Sequence, residues 1–511
     1  MNRSVVLVAA ENGALPGGKV GGIADVIRDL SAAMAARGFD VTVLTPGYGR
    51  LGAAPEFEEH APVTASWRGG NETATIRGRV MAGVTHLVVE HALIDGPEPG
   101  RIYYDDGPDA PFATDASRFA LFSAFAAAWL VTRPDIDVIH LHDWHAAPVL
   151  LLREFMPAFD ALRARRTVFT IHNLALQGIR PLRDNTSSLF EWFPDLVVDK
   201  RVVDPRWHDC VNLMRAGIVL ADRVTSVSPR YAEEILRPDD PSRGIHGGEG
   251  LEADLQRVQA EGRLAGILNG LEYPASLPGR RRSLAALMKA ARHEVLVFAS
   301  RDRFLQSTHL IAMTRIAQLA KKQKLTIATS VGRLTDQKMG IMTSVFRGKP
   351  VLHHLLETIG DDGVLVVLGS GDPGIERVLC EASARFDNLL FIAGFSEELA
   401  NDLYRTGRLF LMPSKFEPCG ISQLLAMRAG QPCVVHETGG LADTVINHET
   451  GWTFAGEDTL SRQAAFIATF AEAWHAAKGA SADWRRISIA AAGARFTWEQ
   501  AAAAYETLYV T

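Results

Sequence analysis

Five short stretches of this sequence combine residue types that chemistry uses with spacings that a fold can bring to one place. The first is GGKVGG, Gly17 to Gly22, which follows a strand-length apolar run. Glycines between a strand and a helix let backbone N–H groups approach an anion, and the helix start adds positive potential. Lys19 supplies a full charge inside the loop, and Gly21 and Gly22 complete it. The spacing is neither GxGxxG nor GxxxxGKS/T, which disfavours nicotinamide cofactors and P-loop chemistry. A plain tight turn is the structural alternative.

The second stretch is HLHDWH, His140 to His145, at the end of another apolar run. Three histidines and an aspartate in six residues invite a metal reading. The metallo-hydrolase pattern, however, is HxHxDH, and Asp143 stands one place too early. His140 and His142 share one face of a strand, so the run reads as a polar sugar-binding rim or an ordinary loop in preference to a metal site. In TIHN, 170 to 173, His172 ends a further strand. A single histidine there is either structural or catalytic. Asp135-Ile-Asp137 resembles a DxD metal motif, but it lies at the entry of its strand, the wrong end of the sheet for a ligand.

The remaining stretches lie in the second half. In GRLTDQK, Gly332 to Lys338, Arg333 and Lys338 are five apart across a turn and can converge on one diphosphate. Arg would act as a bidentate fork and Lys as a point charge; otherwise this is a solvated basic loop. In KFEPCGISQ, Lys415 to Gln423, Glu417 precedes a proline that fixes the chain, then Cys419, Gly420 and an apolar helix. A carboxylate there suits sugar hydroxyls or a developing oxocarbenium charge, while the N–H groups of Ile421 and Ser422 open the helix toward a phosphate. HETGGLADT, His436 to Thr444, repeats the arrangement one strand later with Thr438, Gly439 and Gly440. As plain structure, both are helix caps.

Each stretch needs an element to hold it. Ser4 to Ala10 reads as a buried strand, and Ile23, Val26, Ile27, Leu30 and Met34 recur at helical spacing to about Arg37. Val41 to Leu44 then resumes as strand, completing a βαβ unit. Strand runs recur at Val138 to His142, Thr167 to His172 and Val224 to Val227, and FALFSAFAAAWLV, 119 to 131, reads as a buried helix. Leu271 to Gln323 opens with the turn-rich basic YPASLPGRRR, continues as Ala- and Leu-rich helix, and reads as the connection between two halves. A second alternation follows, with strands at Leu325 to Val331, Val364 to Gly369, Leu389 to Ala393, Leu409 to Pro413 and Cys433 to His436. The fold expected is α/β: two Rossmann-like, doubly wound domains facing a cleft, with ligands at the carboxyl ends of the strands. The domains expected are 1–265 and 266–490, with a divergent connecting segment at 271–324 and a terminal helix at 491–511.

Composition limits the function classes. At 511 residues the chain exceeds one hydrophobic core. A net charge of -6 gives no support to a nucleic-acid or anionic-membrane surface. Cys210, Cys380, Cys419 and Cys433 form no CxxC pair and no disulfide framework, which fits a reduced, cytoplasmic location. The apolar run SVVLVAA before Glu11 is too short for a signal or spanning helix.

KVGGIADV, HDWHA, TIHNLALQG, ADRVTSVSPRYAEEI, GILNGLE, GRLTDQK, VLGSGDP, FLMPSKFEPCGISQLLAMRAG and TGGLADTV occur in this order. With them the sequence resembles the bacterial glycogen synthases and plant starch synthases, retaining glucosyltransferases of the two-Rossmann type, over nearly the whole chain. The resemblance implies transfer of glucose from ADP-glucose to the non-reducing end of an α-1,4-glucan, with no metal, no cofactor and no nucleic-acid or membrane partner. By the same resemblance Lys19, Arg333 and Lys338 contact the donor diphosphate and Glu417 lies beside the transferring glucose. His172 holds the sugar and stabilises positive charge through its carbonyl, Asp25, Asp143 and Asn269 line the site, and Ser422 stands where the family usually has Thr.

Some segments depart from the family. YPASLPGRRR replaces a WNP-type segment, Tyr103-Tyr104 and APFATDASRF carry fewer aromatic and Asn residues than usual, and Lys415 replaces Arg. The two divergent regions bear on the acceptor and on closure more than on the donor, and the Lys415 replacement is mild. They leave two rivals, the same fold with UDP-glucose or a small-sugar acceptor, and a catalytically silent glucan-binding protein.

Overall fold

The computed structural model describes residues 3–274, 283–302, 304–322 and 324–510. The chain divides into two compact units. The first comprises residues 1–239, 247–270 and 497–511, the second residues 240–246 and 271–496.

The first unit is built on a nine-stranded sheet. Its strands are β1 (Ser4–Val8), β2 (Asp40–Pro46), β3 (Glu58–Trp67), β4 (Gly70–Met81), β5 (Val84–Glu90), β6 (Val138–His142) and β7 (Arg166–Ile171). A small antiparallel pair, β8 (Ile179–Pro181) and β9 (Cys210–Asn212), stands apart from it. The sheet is completed by β10 (Arg223–Ser226) and β11 (Leu264–Gly266). The order is β11-β10-β7-β6-β1-β2-β5-β4-β3. All pairings are parallel except β3 with β4 and β4 with β5. Every residue of β1 is buried, as a central parallel strand covered on both faces requires. The order reverses at β1, where β6 lies on one side and β2 on the other, so the ends of β1 and β6 flank a topological switch point.

The sequence pattern offers no element over Glu58–Glu90, yet three strands lie there. Buried residues alternate with less buried ones in the second half of β3 and through the middle of β4, so neither shows a continuous apolar run. Helix Ala113–Val131 is buried along most of its length, as its composition predicts. Helix Trp498–Val510 packs Trp498, Ala501, Ala502, Tyr505 and Tyr509 into a core with Val5 and Leu7 of β1 and Val26, Ile27 and Leu30 of helix Gly22–Ala36.

The second unit carries β12 (Thr326–Val331), the short antiparallel pair β13 (Val345–Phe346) and β14 (Lys349–Pro350), β15 (Gly363–Gly369), β16 (Leu389–Ala393), β17 (Leu409–Met412), β18 (Cys433–His436) and β19 (Gly451–Phe454). Six of these form a wholly parallel sheet in the order β16-β15-β12-β17-β18-β19. Counted along the chain this is 3-2-1-4-5-6, the doubly wound order, with its switch point between β12 and β17.

Helices Leu284–Arg301 and Ser307–Leu319 are not a free connection between halves. Leu287, Met288, Ala291, Val295, Phe298, Ala312, Ile316 and Leu319 share a core with Val364, Val366, Leu390 and Ile392 of the second sheet. They are a covering layer of the second unit. Of the basic stretch YPASLPGRRR that precedes them, only Tyr273 and Pro274 are among the described residues.

Candidate active site

In each unit the chemistry-bearing residues gather at the carboxyl ends of the strands beside the switch point. In the first unit β1 runs into Glu11, which is buried. Its Oε2 accepts hydrogen bonds from the N–H groups of Val20 and Gly21 at 2.7 and 2.6 Å. The anion these loop amides meet in this structure is therefore the chain's own carboxylate. Lys19 is half exposed, and its ammonium lies 2.8 Å from Asp25, which also faces Arg28 at 3.2 Å. Gly21 and Gly22 lead into helix Gly22–Ala36.

The HLHDWH residues separate according to strand geometry. His140 and His142 share one face of β6, with ring centroids 4.1 Å apart. His140 is fully buried and hydrogen-bonds the hydroxyls of Tyr509 and Thr170, each at 2.7 Å. Thr170 in turn bonds Thr225 at 2.6 Å. His140 thus fastens the terminal helix to the sheet, while His145 packs against Trp144 and Phe119 at 4.2 and 4.8 Å. Burial holds both imidazoles down to about 3, so they are neutral. Among the described residues no three His, Cys, Asp or Glu side chains are arranged to hold a metal ion.

The other two members of the run converge on His172. His142 Nδ1 lies 3.0 Å from His172 Nε2, so one ring donates and the other accepts. Asp143 Oδ1 accepts the His172 N–H at 2.8 Å. Asp143 occupies the left-handed region at φ 58°, which costs a non-glycine residue about 1–3 kcal/mol and occurs mostly where position matters. Burial raises its carboxyl to about 8, against the opposing bonds from the N–H groups of His172 and Asn173. His172 itself is held to about 3 by its dense surroundings. Asn269 is buried, and its Oδ1 makes no hydrogen bond among the described residues.

In the second unit β12 ends at Val331, and Arg333 in the following loop is exposed with no ion pair among the described residues. Thr335 caps helix Asp336–Thr343 by accepting the Lys338 N–H. The cap turns Lys338 toward Glu417, whose Oε2 lies 2.9 Å from its Nζ. The Ser414 hydroxyl donates to the same oxygen at 3.0 Å. The loops after β12 and β17 are joined further. Lys415 N donates to Gln337 O at 2.7 Å, Gln337 Nε2 donates to Phe416 O at 3.0 Å, and Lys415 Nζ meets both Asp336 oxygens at 2.7 Å.

The loop after β18 packs on Glu417 from the other side. Gly440 N donates to Glu417 O at 3.0 Å. A Cβ on Gly439, at φ 43°, would lie 2.0 Å from Glu417 O, and one on Gly440 would lie 2.2 Å from Cys419 O. The chain thus needs glycine at both positions for close backbone approach. Gly420, at φ 79°, permits the turn into helix Ser422–Arg428, and Gln423 Nε2 ties that turn to Cys419 O and Gly420 O at 3.1 Å each. Ile421 gives no side-chain cap to this helix, whose first residue is Ser422. His436 Nδ1 pairs with Ser414 O at 2.9 Å beneath the site, and Thr438 leads into Gly439.

Comparison with known proteins agrees over the whole chain. The starch synthase catalytic domain family model matches residues 4–257, and the glycosyl transferases group 1 model matches residues 326–472. The glycogen synthase of Deinococcus radiodurans is 35% identical over 97% of each chain. That of Streptococcus equi subsp. equi is 34% identical over 99% of each. This chain belongs to the glycogen and starch synthase family.

Among solved structures, the catalytic domain of Starch Synthase IV from Arabidopsis thaliana bound to ADP and acarbose matches with TM-score 0.77 and 25% identity. The match covers 100% of this chain and 99% of that one. Sucrose-phosphate synthase from Thermosynechococcus elongatus, at TM-score 0.56 and 18% identity over 100% and 98%, shares the fold. The chain is accordingly a hexosyltransferase of glycogen synthase type with the two-Rossmann glycosyltransferase fold.

In this glycogen synthase relative Arg333, Lys338, Glu417, Cys419, Gly420, Ile421, Ser422, Thr438, Gly439 and Gly440 come together in the second unit. Lys19, Gly21, Gly22 and Asp25 stand together at the loop after β1, and Asp143 with His172 at the ends of β6 and β7. Three participants escape a reading of the sequence. Ser414 is an ordinary serine in sequence, and only its bond to Glu417 marks it. Glu11 directly follows an apolar run and belongs to no motif of its own. His142 sits inside a motif whose histidines look alike until the fold separates them.

Proposed function

We propose that this protein transfers glucose from ADP-glucose to the non-reducing end of an α-1,4-glucan, retaining configuration at the anomeric carbon and using neither metal nor cofactor. The observation that carries the reading is the Lys338–Glu417 pair at the switch point of a doubly wound sheet, with Arg333, exposed and without an ion pair among the described residues, in the loop that leads to Lys338. That arrangement offers two cations to a diphosphate and a carboxylate to the sugar attached to it. Starch Synthase IV, bound to ADP and acarbose, supports the pairing of an adenine nucleotide with a glucan-like acceptor.

In this mechanism Arg333 and Lys338 neutralise charge on the leaving diphosphate as the glycosidic bond loosens, and Lys19 adds a third cation. The uncapped start of helix Ser422–Arg428 offers N–H groups to the phosphates. Glu417 orients the glucose and offsets developing positive charge at its anomeric carbon. His172, with its N–H fixed by Asp143, presents its carbonyl to the same charge. Attack from the face the diphosphate leaves accounts for retention without an enzyme nucleophile. All four cysteines are free and no described helix is long and apolar enough to cross a membrane, in keeping with a cytoplasmic site of action.

The test is incubation of purified protein with glycogen and radiolabelled ADP-glucose or UDP-glucose, followed by counting label in precipitated polymer. Amylase-releasable label from ADP-glucose, abolished by Glu417→Ala, is expected. Label from UDP-glucose alone would replace the donor. No label from either donor, in protein that still binds ADP, would reject the glucan acceptor.

A further inference from the structure

The loop that carries Lys19 is held by a residue to which the proposed reaction assigns no task. Glu11 sits at the exit of β1, 2% exposed. Its Oε2 takes two backbone N–H bonds, from Val20 and Gly21. Its Oε1 accepts the Tyr103 hydroxyl at 2.8 Å. Both oxygens are therefore engaged, and the two residues held by Oε2 make the step from the lysine into helix Gly22–Ala36. A carboxylate at that helix start is also favoured by the helix dipole. The fit leaves little slack, since a Cβ on Gly21 would lie 3.2 Å from Glu11 Oε1.

Tyr103 is itself held in place. Arg118, buried, donates to Ile94 O, Ile102 O and Arg101 O at 2.8, 2.9 and 3.0 Å. Asp115 accepts the Tyr104 N–H at 3.1 Å and pairs with Arg118 at 3.2 Å. Tyr103 also packs edge-on against Phe119, with ring centroids 6.1 Å apart. A path of direct contacts thus runs from helix Ala113–Val131 through Tyr103 and Glu11 to the glycine loop.

We propose that Glu11 is a positioning residue: by occupying the amides of Val20 and Gly21 it sets the conformation of the glycine loop and so the aim of the Lys19 ammonium, with Tyr103 as its anchor. Glu11 acts through Lys19 and touches no reacting atom. The effect on activity rests on Lys19 contacting the nucleotide sugar, whereas the effect on the loop does not.

The experiment combines amide exchange with a double-mutant cycle on the full chain. In Glu11→Ala the amides of Val20 and Gly21 exchange faster than in the parent. Its kcat/KM for the nucleotide sugar falls by about tenfold or more, as expected when hydrogen bonds to a charged group are lost. Glu11→Gln keeps an acceptor for the loop amides and a donor for the Tyr103 oxygen, so it restores most of the loss. Tyr103→Phe gives a smaller decrease in the same direction. In a Lys19→Ala background Glu11→Ala adds little, which a purely structural role would not produce.

Unchanged exchange at Val20 and Gly21 in Glu11→Ala, or equal losses with and without Lys19, overturns the proposal. If Lys19→Ala is silent while the amides are deprotected, the donor role of Lys19 fails and the anchoring by Glu11 stands alone without catalytic consequence. Should Glu11→Ala not fold, Tyr103→Phe and Glu11→Gln carry the same cycle.

Discussion

The ammonium of Lys338 lies 2.9 Å from Oε2 of Glu417, with 20% and 7% of the two side chains exposed. The cation proposed for the diphosphate and the carboxylate proposed for the sugar thus neutralise each other in this structure. Removing one partner of a buried pair leaves the other charge uncompensated. Lys338→Met should lower the stability of the second unit by about 3 kcal/mol, whereas Glu417→Gln, which keeps an acceptor for Ser414, should cost less. Urea unfolding of both variants checks the order. Equal stability of the two would mean that solvent already screens the pair.

Arg333 should behave differently, because it is exposed and makes no ion pair among the described residues. Arg333→Ala should leave the melting temperature unchanged and weaken ADP binding by about 1.5–3 kcal/mol, the usual worth of a charge-assisted bond. Titration calorimetry with ADP measures it. Unaltered affinity would remove Arg333 from the site.

Gly440 gives a prediction from backbone packing. Its missing Cβ leaves room for Cys419 O, which would otherwise be 2.2 Å away. Gly440→Ala must push the loop of Glu417 aside, and overpacking of this kind costs about 1–3 kcal/mol. Turnover should fall by about tenfold or more, since a displacement of about 1 Å at a reacting centre is enough for that. Wild-type turnover in a stably folded Gly440→Ala would show that the loop yields without moving Glu417.

The histidines at the ends of β6 and β7 set the acid limit of the first unit. His140, His145 and His172 are held to about 3, and His142 well below its ordinary value, each chiefly by burial. Their folded values lie below the unfolded 6.5 or so, so their contribution is intact above that pH and is lost as pH falls toward 3. Each adds a slope of up to about 1.4 kcal/mol per pH unit. Denaturant unfolding between pH 7.5 and 5 should show uptake of more than one proton per molecule; a flat profile would contradict neutral burial.

Asp143 works in the opposite sense. Its folded value of about 8, raised by burial, lies above the unfolded one. Its contribution is therefore complete at low pH and is lost as pH rises through about 8. With the four histidines, these groups place the stability maximum near about pH 7. Asp143→Asn should remove the alkaline decline and move the maximum upward in the same unfolding series. An unmoved maximum would show that Asp143 is ionised in the folded protein.

Much of this was legible before any coordinates, for a physical reason. A strand buried on both faces of a parallel sheet must be apolar throughout, so the residues that follow it stand out, and Arg333, Glu417 and His172 all follow such runs. Strands β3 and β4 expose half their residues and leave only a weak alternating signal. The partners of Glu11 are equally silent in sequence, since Tyr103 lies 92 positions away and nothing local relates them. Gly439 and Gly440 show a subtler limit. Their motif suggests a phosphate cradle, while the space around them is already filled by the backbone of Glu417 and Cys419.

The helix Trp498–Val510 has a consequence for synthesis. It covers the face formed by Val5, Leu7, Val26 and Ile27, yet all of the second unit beyond residue 270 lies between the two in sequence. On the ribosome that apolar face waits for its cover while more than two hundred residues are added, tens of seconds at about 5–20 residues per second. During that interval the nascent first unit presents a sticky flank that chaperones can hold and neighbouring chains can join. Helix Trp498–Val510 therefore bears on the yield of folded chain as well as on its stability.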